Sequence, residues 1–282
     1  MIYTVLTQGL IYSLLALGCY ITYTLLNFPD LTVEGSFVLG GTVGAVLINT
    51  GVNPLLACLI AILMGAGAGF ITGLLHVFGK IMGLLASIIT TTALYTVNMV
   101  IMNHRANISI ARNKTIFYSL QVLDINSQKV FIAFIVIIFA YLILRWFLNS
   151  RFGMLLRATG TNSSFVTSMG GNINISKIVG LSVSNALASL CGCLIMQNQL
   201  FVDIGMTSGI AVIGFATSIL GVTFANKLKW LTPMLWIIIA SIIYQSVISF
   251  ALQVNFHPSY LKLIMAIILA FIMVIDRRQN RD

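Results

Sequence analysis

The sequence predicts an all-α, polytopic integral membrane protein, a helical bundle with about eight to ten transmembrane helices. Of the 282 residues, 59% are hydrophobic and only 7% are charged, and the mean hydropathy is +1.03. A soluble domain contains about 25% charged residues, so this chain could not cover a surface exposed to water. The composition therefore excludes a soluble globular protein, a nucleic-acid-binding protein and a disordered chain.

Nine apolar runs approach or exceed the roughly 20 residues that a spanning helix needs. They are residues 3–26, 34–50, 54–79, 81–103, 130–148, 178–199, 209–225, 230–252 and 259–275. The runs are continuous and do not alternate, which favours helices over a β-barrel. The second run is short and rich in glycine, which is typical of either a half-helix or a tilted span. We treat residues 1–282 as a single transmembrane domain.

The distribution of basic residues predicts the orientation of the bundle. The net charge is +9, and cytoplasmic loops of membrane proteins carry an excess of Lys and Arg. Alternating spans place the segment 149–177, the hairpin 226–229 and the tail 276–282 on one side, which we assign to the cytoplasm. The basic loop 104–128 falls on the opposite side and partly contradicts this assignment. The uncharged N-terminus gives no orientation.

Small residues recur at a spacing that suits helix packing. Gly65, Gly69 and Gly73 are four residues apart, which lets helix backbones approach closely in lipid. Close packing inside the bundle is one interpretation, and a helix that slides or tilts during transport is the other. Four cysteines lie in apolar runs and are interpreted as packing residues: Cys19, Cys58, Cys191 and Cys193.

The longest polar interruption on the basic side is the segment 149–177, which we predict to be an ordered cytoplasmic loop. Thr161 or Asn162 can cap a short helix, and Gly170 with Gly171 can end it. In such a helix Phe165, Val166 and Met169 form one apolar patch. The patch suits either the membrane interface or a groove on a cytoplasmic partner.

Several sequence blocks, spread in order over nearly the whole chain, resemble one family. They are FPDLTVEGSF at 28–37, LLASI at 84–88, Leu94-Tyr95 with Asn98, Phe152-Gly153, LRATGTN at 156–162, GLSVSNAL at 180–187 and GFA at 214–216. The chain is similar to permease subunits of ABC importers in the branched-chain amino acid and ribose permease superfamily, closest to the tryptophan/tyrosine-type uptake permeases. Phe215 departs from the leucine that is more usual there.

The resemblance implies a type II-like ABC importer permease in a bacterial cytoplasmic membrane. It implies cytoplasmic ABC ATPase subunits, an extracellular substrate-binding lipoprotein, a second permease copy and a small polar nutrient, such as an aromatic amino acid. It places ATP-driven coupling in the loop that holds Arg157, Ala158, Thr159, Gly160, Thr161, Asn162, Phe165, Met169 and Gly170. The outer loops 104–128, 200–208 and 253–258 would then dock the binding protein.

The segment 27–36 holds Asp30 and Glu34, the only charged side chains in the first 79 residues. Pro29 favours a helix start, where Asp30 or Thr32 can cap and the helix dipole stabilises Glu34. The alternative is that both carboxylates face the conduit, because ionisable residues at membrane depth are costly and usually functional. The sequence leaves both interpretations open.

Uncharged polar residues occur within several apolar runs. For each one, hydrogen bonding between helices is an ordinary explanation, whereas together they could line a path for a polar or zwitterionic solute. The candidate pathway residues are Asp30, Glu34, Thr91, Asn98, Asn185 and Gln197.

No motif for a cofactor or for catalysis is present in the sequence. The chain has no GxxxxGK[ST] loop for ATP, no GxSxG, no HExxH and no histidines at the spacing of metal ligands. We therefore expect no cofactor, no metal and no covalent chemistry. Two other classes stay as alternatives. They are an ion-gradient-driven secondary transporter, for which only Asp30 and Glu34 could serve, and an integral-membrane enzyme.

Overall fold

The protein is described by a computed structural model that covers residues 2–111, 115–118, 124–228, 230–253 and 267. The helices are α1 (Ile2–Cys19), α2 (Thr32–Asn49), α3 (Pro54–Val77), α4 (Gly83–Ile101), α5 (Ile125–Asn149), α6 (Arg151–Thr161), α7 (Ser163–Ser168), α8 (Ile173–Gln199), α9 (Ile210–Lys227) and α10 (Pro233–Gln253). A π-helical turn, Tyr20–Leu25, continues α1, and short 3-10 turns cover Ile116–Tyr118 and Ile204–Thr207. Two strands, β1 (Asn107–Ser109) and β2 (Phe201–Asp203), form an antiparallel pair.

Eight helices in the described part of the chain are long and apolar enough to cross a membrane. They begin at Ile2, Thr32, Pro54, Gly83, Ile125, Ile173, Ile204 and Pro233, and each overlaps one predicted apolar run. The all-α polytopic fold is thereby confirmed. The ninth predicted run, 259–275, the outer loop 253–258 and the tail fall outside the described residues except for residues 253 and 267.

The two ends of the bundle differ in charge. One end, here called the basic end, carries Lys80, Arg145, Arg151, Arg157, Lys177 and Lys227. The opposite end, called the strand end, carries the β1–β2 pair. Helix α1 begins at the strand end, because Tyr3 and Gln8 line the same cavity as Lys129 and Gln199. The tertiary structure thus places the N-terminus, which the sequence left unassigned, opposite the basic end. Arg105 lies at the strand end, while Arg112 and Lys114 are outside the described residues.

Helix α8 lies at the centre of the bundle and packs most extensively against α3 and α2. The glycines of α3 make this packing possible. A Cβ atom on Gly65 or Gly69 would overlap the backbone of α8 at Asn185 or Leu181, and one on Gly73 would press on Ile178. The glycine spacing read from the sequence therefore serves close packing between helices.

The outward faces of α3 and α5 are apolar. Leu63 in α3 and Phe139 and Trp146 in α5 are more than 60% exposed within the chain. A large exposed apolar surface is unsuited to water, whereas lipid tails solvate it without cost. These faces are consistent with direct contact between the bundle and the bilayer.

Helix α2 begins inside the bundle and not at its edge. After the π-helical turn the chain reverses, and the Phe28 amide donates to the Thr22 carbonyl at 2.8 Å. The Leu31 carbonyl then accepts from the Thr91 hydroxyl at 2.9 Å. Thr91 lies eight residues after Gly83, the start of α4, which corresponds to about 12 Å along that helix. Residues 26–31 therefore return from the basic end towards the middle, with Leu26, Phe28 and Asp30 buried and Asn27 and Pro29 exposed.

Candidate functional site

Asp30 is fully buried and bridges α2 and α8. One carboxylate oxygen accepts from the Thr32 amide at 2.8 Å, and the other accepts from the Asn185 side-chain amide at 2.8 Å. The Ser36 hydroxyl completes the network by donating to the side-chain oxygen Oδ1 of Asn185 at 2.7 Å. Asn185 lies twelve residues after Ile173, so the network is about 18 Å along α8, near its middle. We name Asp30, Thr32, Ser36 and Asn185 the mid-depth network.

The mid-depth network gives Asp30 the geometry of a helix-start residue. Its carboxylate satisfies the first helical amide of α2, which has no intrahelical partner. Both carboxylate oxygens are occupied, and neither Asp30 nor Asn185 is accessible at the surface. The contacts thus support the capping interpretation of Asp30.

Glu34 differs from Asp30 because it is partly exposed. Its carboxylate accepts from the Ala211 amide, in the first turn of α9, at 3.4 Å, and the Gly209 amide also interacts with it. Glu34 lies fifteen residues before Asn49, the end of α2 at the strand end, which is about 22 Å along that helix. Ala211 lies sixteen residues before Lys227, the end of α9 at the basic end, which is about 24 Å along that helix. The contact is therefore midway between the two ends of the bundle.

Two aromatic pairs lie one turn beyond the Glu34–Ala211 contact, one on α2 and one on α9. Phe37, one turn further along α2, stacks against Tyr12 with ring centroids 6.4 Å apart. Phe215, one turn after Ala211 on α9, contacts Tyr23 with centroids 5.5 Å apart. Tyr12, Tyr23, Glu34 and Phe215 are all partly exposed, and together we name them the Glu34 surface. Tyr12 of α1 and Tyr23 of the following π-helical turn could not be predicted at this surface from the sequence, because their partners lie in distant helices.

The other predicted pathway residues connect helices in this conformation. The Asn98 side chain donates to the Gly35 carbonyl at 3.3 Å and accepts from the Thr42 hydroxyl at 3.4 Å, so it ties α4 to α2. The Thr91 hydroxyl donates to Leu31, as described above, and remains partly exposed. Of the six predicted pathway residues, only Glu34 and Thr91 reach the surface of the described chain.

Gln197 lies near the strand end and is fully buried. Its amide contacts the Cys58 sulfur at 3.2 Å and the Cys193 sulfur at 3.6 Å, and its carbonyl oxygen accepts from the Ile116 amide at 3.0 Å. The residue thereby attaches the outer segment 115–118 to α3 and α8. All four cysteines are buried and free, in keeping with their interpretation as packing residues.

The predicted coupling loop folds as two helices, α6 and α7, which we name the α6–α7 segment. Asn162, one of the two predicted caps, begins α7 by accepting from the Phe165 amide at 3.0 Å, whereas Thr161 is the last residue of α6. Gly170 ends α7 in the left-handed region, with φ of +75°. Helix α7 is short, as predicted, with only six residues.

The α6–α7 segment has one face on the bundle and one face free. Gly160 packs directly on the Leu25 carbonyl at the end of α1, where no Cβ atom would fit. Thr159 is buried, and Val166 is only 2% exposed, so Val166 does not share a surface with Phe165 as the sequence patch predicted. Phe165 and Met169 are 56% and 74% exposed. The remaining exposed residues of the predicted coupling set are Arg157, Thr161, Asn162 and Gly170, and Ala158 is partly exposed.

The strand end brings two predicted outer loops together. Asn107 pairs with Asp203 and Ser109 with Phe201, so residues 104–111 and 200–208 form one surface. Within the described residues no group of three or more His, Cys, Asp and Glu side chains is placed to hold a metal ion.

The sequence matches one protein family over almost its whole length and is similar to several known proteins. The family model described as "Branched-chain amino acid transport system / permease component" matches residues 1–273. A tyrosine transport system permease protein of Clostridioides difficile is 39% identical over 268 residues, covering 95% of this chain and 88% of that protein. The ribose import permease of Escherichia coli K12 is 28% identical over 197 residues, covering 68% of this chain and 60% of that protein. No solved structure matches.

The chain belongs to the family of permease components of branched-chain amino acid transport systems, because the family model matches almost its whole length. It is a multi-pass cell-membrane permease of the ABC type, with eight apolar helices in the described residues. Its relatives are transport subunits and not enzymes, so the assignment to transport that the sequence blocks implied is confirmed.

Proposed function

We propose that this member of the permease family forms the conduit of an ATP-driven importer for an amino acid, in the aromatic class. ATPase subunits would bind at the basic end, a substrate-binding lipoprotein would deliver the solute at the strand end, and a second copy of the chain would complete the pore. The aromatic class is suggested by the tyrosine permease to which the chain is similar over 95% of its length. ATP would be hydrolysed only by the partner subunits.

The observation that carries this proposal is the free apolar face of the α6–α7 segment. Phe165 and Met169 lie at the basic end and are exposed, because neither packs in the core. Exposed apolar residues of this kind mark interaction sites. The basic end is cytoplasmic by the distribution of Lys and Arg, which is where an ATPase can bind. A short helix with two apolar anchors suits docking into a groove.

The same segment offers a path for mechanical coupling. Gly160 and Leu156 of α6 and Gly180 of α8 pack around Leu25 and Leu26, the residues that end α1 and begin the return segment 26–31. A displacement of α6 by the ATPase would move this return segment. The segment leads directly to Asp30 and the start of α2, so the displacement would reach the mid-depth network.

The proposal is tested by reconstituting the chain with a candidate ABC ATPase and a candidate substrate-binding lipoprotein from the same organism and measuring ATP-driven uptake of L-tyrosine. Phe165→Asp is expected to abolish co-purification of the ATPase and to reduce uptake at least about tenfold, because a charged group cannot enter an apolar groove. Phe78→Asp is the matched control, since Phe78 is 73% exposed at the same end but lies outside the α6–α7 segment. Normal co-purification and uptake with Phe165→Asp would contradict the docking role.

The alternative of an ion-driven transporter is favoured by one observation. Glu34 is the only acidic side chain within the described spanning helices, and such residues often carry ions or protons. The two functions make opposite predictions. Uptake that survives a protonophore and sodium removal, but fails without the ATPase, supports the importer, and the reverse pattern supports the ion-driven transporter.

A further inference from the structure

We infer that the Glu34 surface recognises the solute as a zwitterion. In this arrangement the ammonium group of an α-amino acid pairs with Glu34, and its carboxylate binds the backbone amides of Gly209 and Ala211. The inference rests on the proposed import function and names the residues that would separate an amino acid from an uncharged sugar.

The charge balance around Glu34 supports a zwitterion over a simple cation or anion. Helix α9 begins one residue before Ala211, so its N-terminus faces the Glu34 carboxylate, whereas the N-terminus of α2 is already capped by Asp30. A helix N-terminus acts as about half a positive charge, so the positive end of α9 lies against the negative charge of Glu34. The surface is therefore strongly dipolar. A zwitterion has the same character, whereas a free amine or acid would leave one charge uncompensated.

The resting contact of Glu34 is suited to exchange. Its distance to the Ala211 amide, 3.4 Å, is longer than the roughly 2.7–2.9 Å of a good charge-assisted hydrogen bond. Gly209 has φ of +86°, and nothing lies within 4 Å of the position that its Cβ would occupy, so the backbone beside these amides is open. When Glu34 turns to an incoming ammonium group, the amides become free to receive the carboxylate of the same solute.

The aromatic members of the Glu34 surface suit the side chain of such a solute. Tyr12, Tyr23 and Phe215 are each partly exposed. Tyr12 stacks on Phe37, one turn after Glu34 on α2, and Tyr23 contacts Phe215, one turn after Ala211 on α9. Aromatic rings stack favourably on one another, and a ring face also attracts an ammonium group. Charge recognition and ring recognition therefore occur on one surface.

The inference is tested on the full-length chain in lipid nanodiscs, without ATPase or binding protein. Saturation-transfer NMR would be recorded with L-tyrosine, tyramine, 3-(4-hydroxyphenyl)propanoate and D-ribose, and the signal from empty nanodiscs would be subtracted. We expect saturable binding of L-tyrosine only. Glu34→Gln should weaken that binding about tenfold, the usual effect of losing one charge-assisted pair. Asp124→Asn, at an exposed carboxylate that makes no capping hydrogen bond, is the matched control and should leave binding unchanged.

A second measurement separates recognition from folding. The amide of Glu34→Gln keeps an oxygen that can accept from Ala211, so its thermal unfolding should match that of the unsubstituted chain. Glu34→Asp, which keeps the charge, should bind more tightly than Glu34→Gln. The inference would be overturned if tyramine or the propanoate bound as well as L-tyrosine, if ribose bound, or if L-tyrosine did not bind. It would also be overturned if the Glu34 variants lost L-tyrosine binding only in proportion to their loss of thermal stability. Failure of ATP-driven uptake with this binding pattern intact would instead contradict the proposed function alone.

Discussion

The α6–α7 segment and the mid-depth network are stabilised in opposite ways. In the α6–α7 segment the capping bond is local, since the Phe165 amide donates to Asn162, and the apolar side chains of Met154, Phe165 and Met169 remain exposed. In the mid-depth network Asp30 and Asn185 are 155 residues apart in sequence, and every polar group is buried and bonded. The comparison teaches that the first region can move or exchange partners at low cost. The second can move only as a unit with α2 and α8.

The largest effect is expected where α2 and α8 cross beside the network. A Cβ atom on Gly192 would overlap the backbone of Phe37, and one on Gly40 would overlap that of Ser189. Gly192→Leu should therefore prevent correct packing, at a cost above about 3 kcal/mol, because backbone cannot yield as a side chain can. Size-exclusion profiles of the purified protein would show aggregation.

The control for this substitution is Gly67→Leu in α3, since nothing lies within 4 Å of the position of its Cβ atom. Gly67→Leu should give a normal profile. If both variants fold normally, the mid-depth region is more compliant than its contacts indicate, and the contrast with the α6–α7 segment is lost.

The next effect concerns Asp30 itself. Asp30→Ala would leave the Thr32 amide and one Asn185 donor bond unsatisfied in a buried place, which costs about 2–3 kcal/mol. We expect folding yield and thermal stability to fall more than solute selectivity changes. Asp124→Ala is a surface control that removes the same charge. Unchanged stability together with altered selectivity would favour the pathway interpretation of Asp30.

A smaller effect is expected in the α6–α7 segment. Asn162→Ala removes the N-cap of α7 and should cost about 1 kcal/mol of local helix stability. Hydrogen exchange should therefore rise at residues 163–168, while the global unfolding temperature remains within error. A large global loss would mean that α7 belongs to the cooperative core after all.

The smallest effect is expected at the basic end, where the end of α3 meets the start of α8. The Lys177 ammonium donates to the ring nitrogen Nε2 of His76 at 3.0 Å, and the other ring nitrogen bonds the Ile81 carbonyl at 2.8 Å. These contacts require a neutral imidazole whose Nδ1 carries the proton. Lys177→Met should cost at most about 1 kcal/mol, because the bond is only partly buried. The measurement is thermal unfolding at neutral pH, and a loss above twice that value would contradict the assignment.

The sequence predicted a large part of the fold because membrane spans are read from local composition. Eight of nine apolar runs correspond to described spanning helices, and the polar segment 149–177 is the predicted interruption. Asn162 and Gly170 take the helix-end roles that their residue types favour. The prediction that Val166 shares an exposed patch with Phe165 and Met169 was wrong, because Val166 is buried. Helical spacing shows which side chains lie near one another but not which of them face the bundle.

The Glu34 surface could be predicted only in part. Glu34 was conspicuous as one of two carboxylates in the first 79 residues, and the dipole of α2 was foreseeable. Its contact with Ala211, 177 residues further on, was not, because α9 carries no sequence signal that its start lies in the middle of the bundle. Tyr12 and Tyr23 look like ordinary residues of an apolar helix until α2 and α9 are placed beside them.

Sequence alone determined that lipid is the solvent of this chain, where its helices run and which residues can begin and end them. These properties follow from transfer free energies and backbone geometry within one or two turns. Only the tertiary structure decided which end holds the N-terminus, that Asp30 bonds Asn185, and that α9 begins beside Glu34. Those outcomes depend on how helices pack, and packing sums many weak contacts between residues far apart in the chain.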